Sequence, residues 1–150
     1  MVGTGYAVRE IRTRVKELGL QDHVTLLGNI HDRERLKRID AAADLFLFPS
    51  LYDNAPLVVR EAAAMHTPAL MLQESTAAEV IEPDVNGFLT PNDKQAYADR
   101  LAWLIRHHEV LEQVGDKASS TIARTWESVI DEVILRYKDI QESYRLKNGK

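Results

Sequence analysis

The sequence predicts an α/β fold in which a parallel β-sheet carries helices on both faces. Short, nearly continuous apolar runs recur along the chain, as expected for strands buried on both sides. Between them, apolar residues repeat at three- and four-residue spacing, the mark of amphipathic helices. Strand and helix signals alternate through the first two thirds of the sequence, the order of successive β-α units.

Met1-Val-Gly-Thr-Gly5 reads as the last residues of a strand running into a glycine turn. The pair Gly3 and Gly5 echoes a dinucleotide loop, but Val8 stands at the third glycine position, so a plain tight turn is the reading adopted. A helix follows over residues 6–18, with Val8, Ile11, Val15 and Leu18 on one face and Gly19 ending it. Val24-Thr-Leu-Leu-Gly28 reads as a strand. Asp32 is an N-cap for a helix over residues 33–42 that turns Leu36 and Ile39 inward.

Asp44-Leu-Phe-Leu-Phe48 is the next buried strand and leads into the stretch on which the chain is centred, Pro49-Ser-Leu-Tyr-Asp-Asn-Ala-Pro-Leu-Val-Val-Arg-Glu-Ala-Ala-Ala-Met65. A loop there hands over to a helix from about Leu57, with Pro56 suited to its first position. A strand-loop-helix start of this kind aims backbone N–H groups and the positive end of the helix dipole at one spot, a ready site for an anion such as phosphate. Two acids flank it, Asp53 in the loop and Glu61 one turn into the helix.

Pro68-Ala-Leu-Met-Leu72 is a third strand, Ser75 and Glu79 open a short helix, and Gly87-Phe-Leu-Thr90 is a fourth strand after turn residues 83–87. Helices follow from about Asp93, where Ala96, Tyr97, Leu101, Leu104 and Ile105 mark one helix, and over residues 110–118. A long helix over residues 126–144 has Trp126, Val129, Ile130, Val133, Ile134, Tyr137 and Ile140 as its apolar stripe. Trp126 reads as a core anchor for that helix, and residues 146–150 as a fraying polar tail.

A length of 150 residues fits one domain with its own core. A net charge of −4 with interspersed signs argues against nucleic acid as a partner. With no cysteine, thiol chemistry is excluded. Without a membrane-spanning run or a signal-peptide pattern, the expected setting is the cytoplasm. Lys and Arg gather in residues 11–16 and 33–38, which leaves a peripheral contact with the inner membrane surface open. His23 and His31 lack metal-ligand spacing, and His107 and His108 read as surface residues near a helix end. No metal site is expected.

The succession Val24-Thr-Leu-Leu-Gly28, Ala43-Asp-Leu-Phe-Leu-Phe-Pro-Ser50, Glu61-Ala-Ala-Ala, Thr67-Pro68, Glu79-Val-Ile and Asn86-Gly-Phe-Leu89 resembles the carboxyl-terminal domain of GT-B fold, family-four retaining glycosyltransferases (glycosyl transferases group 1). The resemblance runs from Met1 to about Tyr137. It implies a Rossmann-like sheet, a donor domain whose first strand and helix lie outside these residues, and an amino-terminal acceptor domain that does too. On this reading residues 1–150 are a single, partial nucleotide-sugar-binding domain, with a core over 1–106 and carboxyl-terminal helices over 108–146. In the family, the last helix packs back toward the amino-terminal domain.

The resemblance also implies the chemistry. Two Glu residues separated by seven others in the family handle the nucleotide-sugar donor, and Asp53 and Glu61 stand at those positions. Glu61 would accept hydrogen bonds from ribose hydroxyls, and Asp53 would bind sugar hydroxyls. Backbone N–H groups among Asn54, Ala55, Leu57 and Val58 would meet the sugar and diphosphate, with Pro56 in the same loop. Gly28 and Ile30 would lie near the base. Ser50 either caps the turn or touches phosphate, and Glu79 is structural or lines the site. The donor would be a nucleotide diphosphate sugar such as UDP-glucose, and no cofactor is expected.

Three positions depart from the family pattern. Asp53 is one methylene shorter than Glu. Pro56 stands where Gly is common and removes an N–H. His66 holds a helix-end position usually given to Gly, where a left-handed backbone costs other residues something. With the first strand outside these residues, either residues 24–27 pair directly with the strand at residues 45–48 or a gap exposes hydrophobic edges there, and self-association or dependence on a missing partner segment is expected. The expected function is the donor-binding part of a hexose-transferring enzyme acting on polysaccharide or glycolipid, inactive as this chain alone. The alternatives are a non-catalytic α/β nucleotide- or protein-binding module and a related GT-B sugar-nucleotide epimerase.

Overall fold

The computed structural model describes residues 1–53 and 56–148. The chain divides into two compact units, Met1–Ile39 and Asp40–Lys150.

In the first unit, helix α1 (Val8–Glu17) keeps Val8, Ile11 and Val15 half-buried and ends at Gly19, whose φ of +66° suits a residue without Cβ. The strand expected at residues 24–28 is not a regular strand. Its residues lie parallel to the chain start through three ladder-type bonds: the Met1 amino group donates to Thr25 O (2.6 Å), Leu27 N–H to Met1 O (2.9 Å) and Gly3 N–H to Gly28 O (2.7 Å). The third bond falls one residue out of step with the first two, because Gly28 adopts φ +69° and bends the backbone away. Asp32 caps helix α2 (Arg33–Ala41) as expected, its Oδ1 accepting from the N–H groups of Glu34 (2.9 Å) and Arg35 (3.1 Å).

The second unit is built on a three-stranded parallel sheet of β1 (Phe46–Phe48), β2 (Ala69–Leu72) and β3 (Phe88–Thr90), in that order, with Phe46 opposite Ala69 and Leu70 opposite Phe88. The alternation of side chains along each strand sorts the core into two clusters. Phe46, Phe48, Ala69, Met71 and Leu89 gather on one face with Val59 and Ala63 of helix α3 (Leu57–Ala64), Ala77 of a 3-10 turn (Thr76–Val80), and Ala118 and Ile122. Leu70 and Phe88 gather on the other with Tyr97, Leu101 and Leu104 of helix α4 (Lys94–Arg106) and Leu111 and Val114 of helix α5 (His108–Thr121). Helices therefore cover both faces, as predicted. Burial pushes the Tyr97 hydroxyl up to about 12, and the hydroxyl donates to Leu70 O at 3.0 Å.

The expected short helix at Ser75 is the 3-10 turn, capped by Ser75 Oγ accepting from Ala77 N–H at 3.2 Å. Asn86 is buried under it, accepting from Glu82 N–H (2.7 Å) and donating to Thr121 Oγ1 (3.0 Å). Helix α5 is longer than residues 110–118, and Ile105 of α4 is 64% exposed. The last helix, α6 (Trp126–Asn148), runs through part of the expected tail. Trp126 is no core anchor, being 76% exposed: among the described residues, α6 has no extensive packing against another element. No helix among the described residues is long and apolar enough to cross a membrane.

Candidate functional site

The parallel strands end at Phe48, Leu72 and Thr90, so the segments that follow all leave the same edge of the sheet. That edge is where ligands bind in α/β sheets of this kind. The segment after β2 is fixed by Gln73 N–H donating to Thr90 O (2.9 Å) and Asn92 N–H to Glu74 Oε2 (3.1 Å).

Thr76 then holds the loop after β1. Its N–H donates to Leu51 O (3.3 Å) and its hydroxyl to Asp53 O (2.9 Å), while Asp53 N–H donates to Thr76 Oγ1 (3.2 Å). With its backbone anchored at both groups, Asp53 keeps its carboxylate unengaged: among the described residues that carboxylate has no hydrogen-bond or ion-pair partner. Ser50 is half-buried in the same loop, and Asn54 and Ala55 lie outside the described residues.

Pro56 is buried and is the N-cap of α3, one position before the first helical residue expected for it, with φ −63° and ψ 116°. A proline there cannot cap with its side chain, so among the described residues the first-turn N–H groups of Leu57 and Val58 are left without a side-chain acceptor. The side chains of these two residues are 66% and 42% exposed. Uncapped N–H groups beside exposed apolar surface can receive an anionic group and the body of a ligand together. Glu61 is half-buried one turn on and, among the described residues, has no hydrogen-bond or ion-pair partner.

The other end of α3 fixes where Glu61 stands. Thr67 N–H donates to Ala62 O (3.0 Å) and His66 N–H to Ala63 O (3.0 Å), the paired bonds of a Schellman ending. His66 takes the left-handed position with φ 61°, as its place in the sequence predicts, and its Nδ1 lies 2.7 Å from Asp116 Oδ1. Helix α5 approaches so closely that a Cβ on Gly115 would sit 2.1 Å from His66 O. Arg60 adds a bond from its guanidinium to Ile122 O at 2.8 Å. Helix α3 is thus held at its carboxyl end and along one side, leaving its amino end at the ligand edge.

Sequence reasoning passed over Asp40. Thr67 Oγ1 donates to its carbonyl at 2.7 Å, tying the end of α2 to the turn after α3. Burial, and secondly the charge of Glu61, raise the Asp40 carboxyl above its ordinary range. The signal was available: Asp40 lies four residues after Leu36, on the apolar face of α2. Of the other predicted residues, Gly28 and Ile30 are half-buried in the first unit, and Glu79 is exposed on the 3-10 turn. His107 stacks on Trp103 at the end of α4, and His108 lies 3.4 Å from Asp44. Among the described residues, no group of three or more His, Asp or Glu is arranged to hold a metal ion.

Comparison with known proteins places this geometry. The family model for glycosyl transferases group 1 matches residues 1–121. The amylovoran biosynthesis glycosyltransferase AmsK of Erwinia amylovora is 33% identical over 105 residues, which cover 65% of this chain and 26% of that protein. The chain therefore spans about a quarter of that relative's length. Among solved structures, the carboxyl-terminal domain of the group 1 family protein LpcC from Francisella tularensis shares the fold with a TM-score of 0.70 at 24% identity, covering 79% of this chain and 63% of that one. HepE of Anabaena, solved in complex with UDP-glucose, matches with a TM-score of 0.69 at 25% identity over 95% of this chain and 39% of its own. With a family match across most of its length and a Rossmann-like parallel sheet ending in a long helix, this chain belongs to the glycosyl transferases group 1 family and has a GT-B glycosyltransferase fold.

Proposed function

We propose that this chain is the donor-binding part of a retaining glycosyltransferase that transfers a hexose from a nucleotide diphosphate sugar, such as UDP-glucose, to a polysaccharide or glycolipid acceptor. The observation that carries the reading is Glu61: a half-buried carboxylate without a hydrogen-bond or ion-pair partner among the described residues, one turn into a helix whose amino end has no side-chain cap. An ionised carboxylate so placed suits the vicinal hydroxyls of a ribose. The Leu57 and Val58 N–H groups suit the diphosphate, where negative charge develops as the sugar departs. Asp53, anchored through its backbone to Thr76, offers its carboxylate to sugar hydroxyls. HepE, a structural relative, binds UDP-glucose, which supports a donor of that class.

Calorimetric titration with a panel of nucleotide diphosphate sugars tests this reading. At least one should bind, and Glu61→Ala should weaken that binding about tenfold or more, the loss expected for hydrogen bonds to a carboxylate. Binding by none of the panel, or binding unchanged in Glu61→Ala, would overturn it. The chain alone is expected not to transfer sugar at the rate of a complete enzyme, because the acceptor-binding domain implied by the resemblance lies outside it.

A further inference from the structure

Asp53 and Glu61 are held by different parts of the fold. Glu61 stands on α3, whose carboxyl end is fixed by the turn at His66 and by the close approach of α5. Asp53 is held instead by the 3-10 turn after β2, and a single hydroxyl takes both of its backbone polar groups: Thr76 Oγ1 donates to Asp53 O (2.9 Å) and accepts from Asp53 N–H (3.2 Å). Those two groups belong to the peptide planes on either side of one Cα. Bonding both to one atom fixes φ and ψ there, and with them the direction in which the Asp53 side chain leaves the backbone. Thr76 N–H adds a bond to Leu51 O at 3.3 Å.

The turn that carries Thr76 is supported in its own right. Ser75 Oγ caps its start, Ala77 and Ala78 are buried, and Asn86 Nδ2 donates to Val80 O at its end (3.4 Å). The Thr76 side chain is exposed, so changing it empties no core site. Aspartate has little slack of its own. One methylene shorter than glutamate and confined to a few staggered rotamers, it reaches only as far as the position of its Cα allows.

We propose that Thr76 is a specificity-determining positioning residue: its hydroxyl aims the Asp53 carboxylate and so sets which sugar the site prefers, while recognition of the nucleotide, carried by Glu61 and the amino end of α3, does not depend on it. This rests on the donor-site reading.

Calorimetric titration of the chain, Thr76→Val and Thr76→Ser tests it, comparing UDP with UDP-glucose and UDP-galactose, and GDP with GDP-mannose and GDP-glucose. The sugars of each pair differ in the orientation of one hydroxyl. The parent should prefer one sugar of a pair by about tenfold or more, the worth of a hydrogen bond to a carboxylate. Thr76→Val should narrow that preference to within about threefold while changing the affinity for the free nucleoside diphosphate by less than about twofold. Thr76→Ser, which keeps the hydroxyl, should keep the preference. An indifferent parent, a preference retained in Thr76→Val, loss of nucleoside diphosphate binding alongside it, or Thr76→Ser behaving as Thr76→Val would each overturn the proposal and leave the donor-site reading standing. Binding of none of these compounds, or binding that Glu61→Ala leaves unchanged, would overturn that reading and the proposal with it.

Discussion

Helices α5 and α6 are adjacent in the chain and both carry apolar stripes, yet their surroundings are opposite. Leu111, Val114, Gly115 and Ala118 of α5 recur at helical spacing and are all buried, against the sheet and the turn after α3. Ile130, Val133, Ile134 and Tyr137 of α6 recur in the same way and are all exposed. Periodicity determines that a segment is a helix with one apolar face, because that follows from 3.6 residues per turn. It does not say what the face meets. In α5 the answer is written in small residues: Gly115 lets two backbones touch, and Ala118 admits Val59 and Ile122 into one cluster. The stripe of α6 has no glycine or alanine and is built of large side chains.

The comparison is most sharply broken by matched truncations. Leu111→Ala should lower unfolding free energy by about 2–4 kcal/mol, because it empties a buried site next to Leu70 and Phe88. Ile134→Ala, measured in dilute protein, should change it by less than about 0.5 kcal/mol. Urea midpoints at equal slope provide the measurement. Equal losses would mean that α6 shares the core after all.

Next in size is Gly115→Ala. Alanine gains roughly 1 kcal/mol in helix propensity over glycine, but the new Cβ would meet the His66 carbonyl oxygen at 2.1 Å, so helix or turn must move. Overpacking of that kind costs about 1–3 kcal/mol, and more against backbone that cannot rotate away. A net destabilisation of about 2 kcal/mol is expected. A stabilised variant would show that α5 does not need the close approach, and with it that the carboxyl end of α3 is not clamped.

The smallest effect concerns Asp40. Its carboxyl is raised in the folded protein, so the folded state binds a proton more tightly than the unfolded one, and stability falls as pH rises through the window between the two values. Asp40→Asn removes that penalty. It should be slightly more stable than the parent at pH 7, by about 0.5 kcal/mol or less after solvent screening. The advantage should vanish below about pH 4, where the unfolded carboxyl is also protonated. Thermal midpoints at pH 7 and pH 3.5 would show it; an advantage persisting at the lower pH would remove the charge as its cause.

Much of the second unit was legible in the sequence. The apolar runs before Pro49 and after Pro68 became β1 and β2, α4 began beside Asp93, and His66 took its left-handed place. What was not legible depends on contacts distant in sequence. Residues 24–28 carry a strand-like composition, but Gly28 turns the backbone out of the ladder begun at Met1. Trp126 has the size of a core anchor, and only the tertiary structure shows that it stays largely exposed. Asp40 is tied through its carbonyl to Thr67, 27 residues away, and feels the charge of Glu61, neither of which a local pattern shows. At the candidate site, the local pattern placed Asp53 and Glu61 beside the loop-to-helix junction and only the resemblance implied their role, while Thr76 as the anchor of Asp53 could be read from no local pattern.

The central claim is that the amino end of α3, with Asp53 and Glu61, is where a nucleotide sugar binds. Backbone amide resonances followed during titration with UDP-glucose test it most directly. The account predicts saturable shifts concentrated at Ser50, Asp53, Leu57, Val58 and Glu61, with Ile130 through Ile140 on α6 unmoved. Shifts absent from Leu57, Val58 and Glu61, or centred on α6 instead, would contradict it.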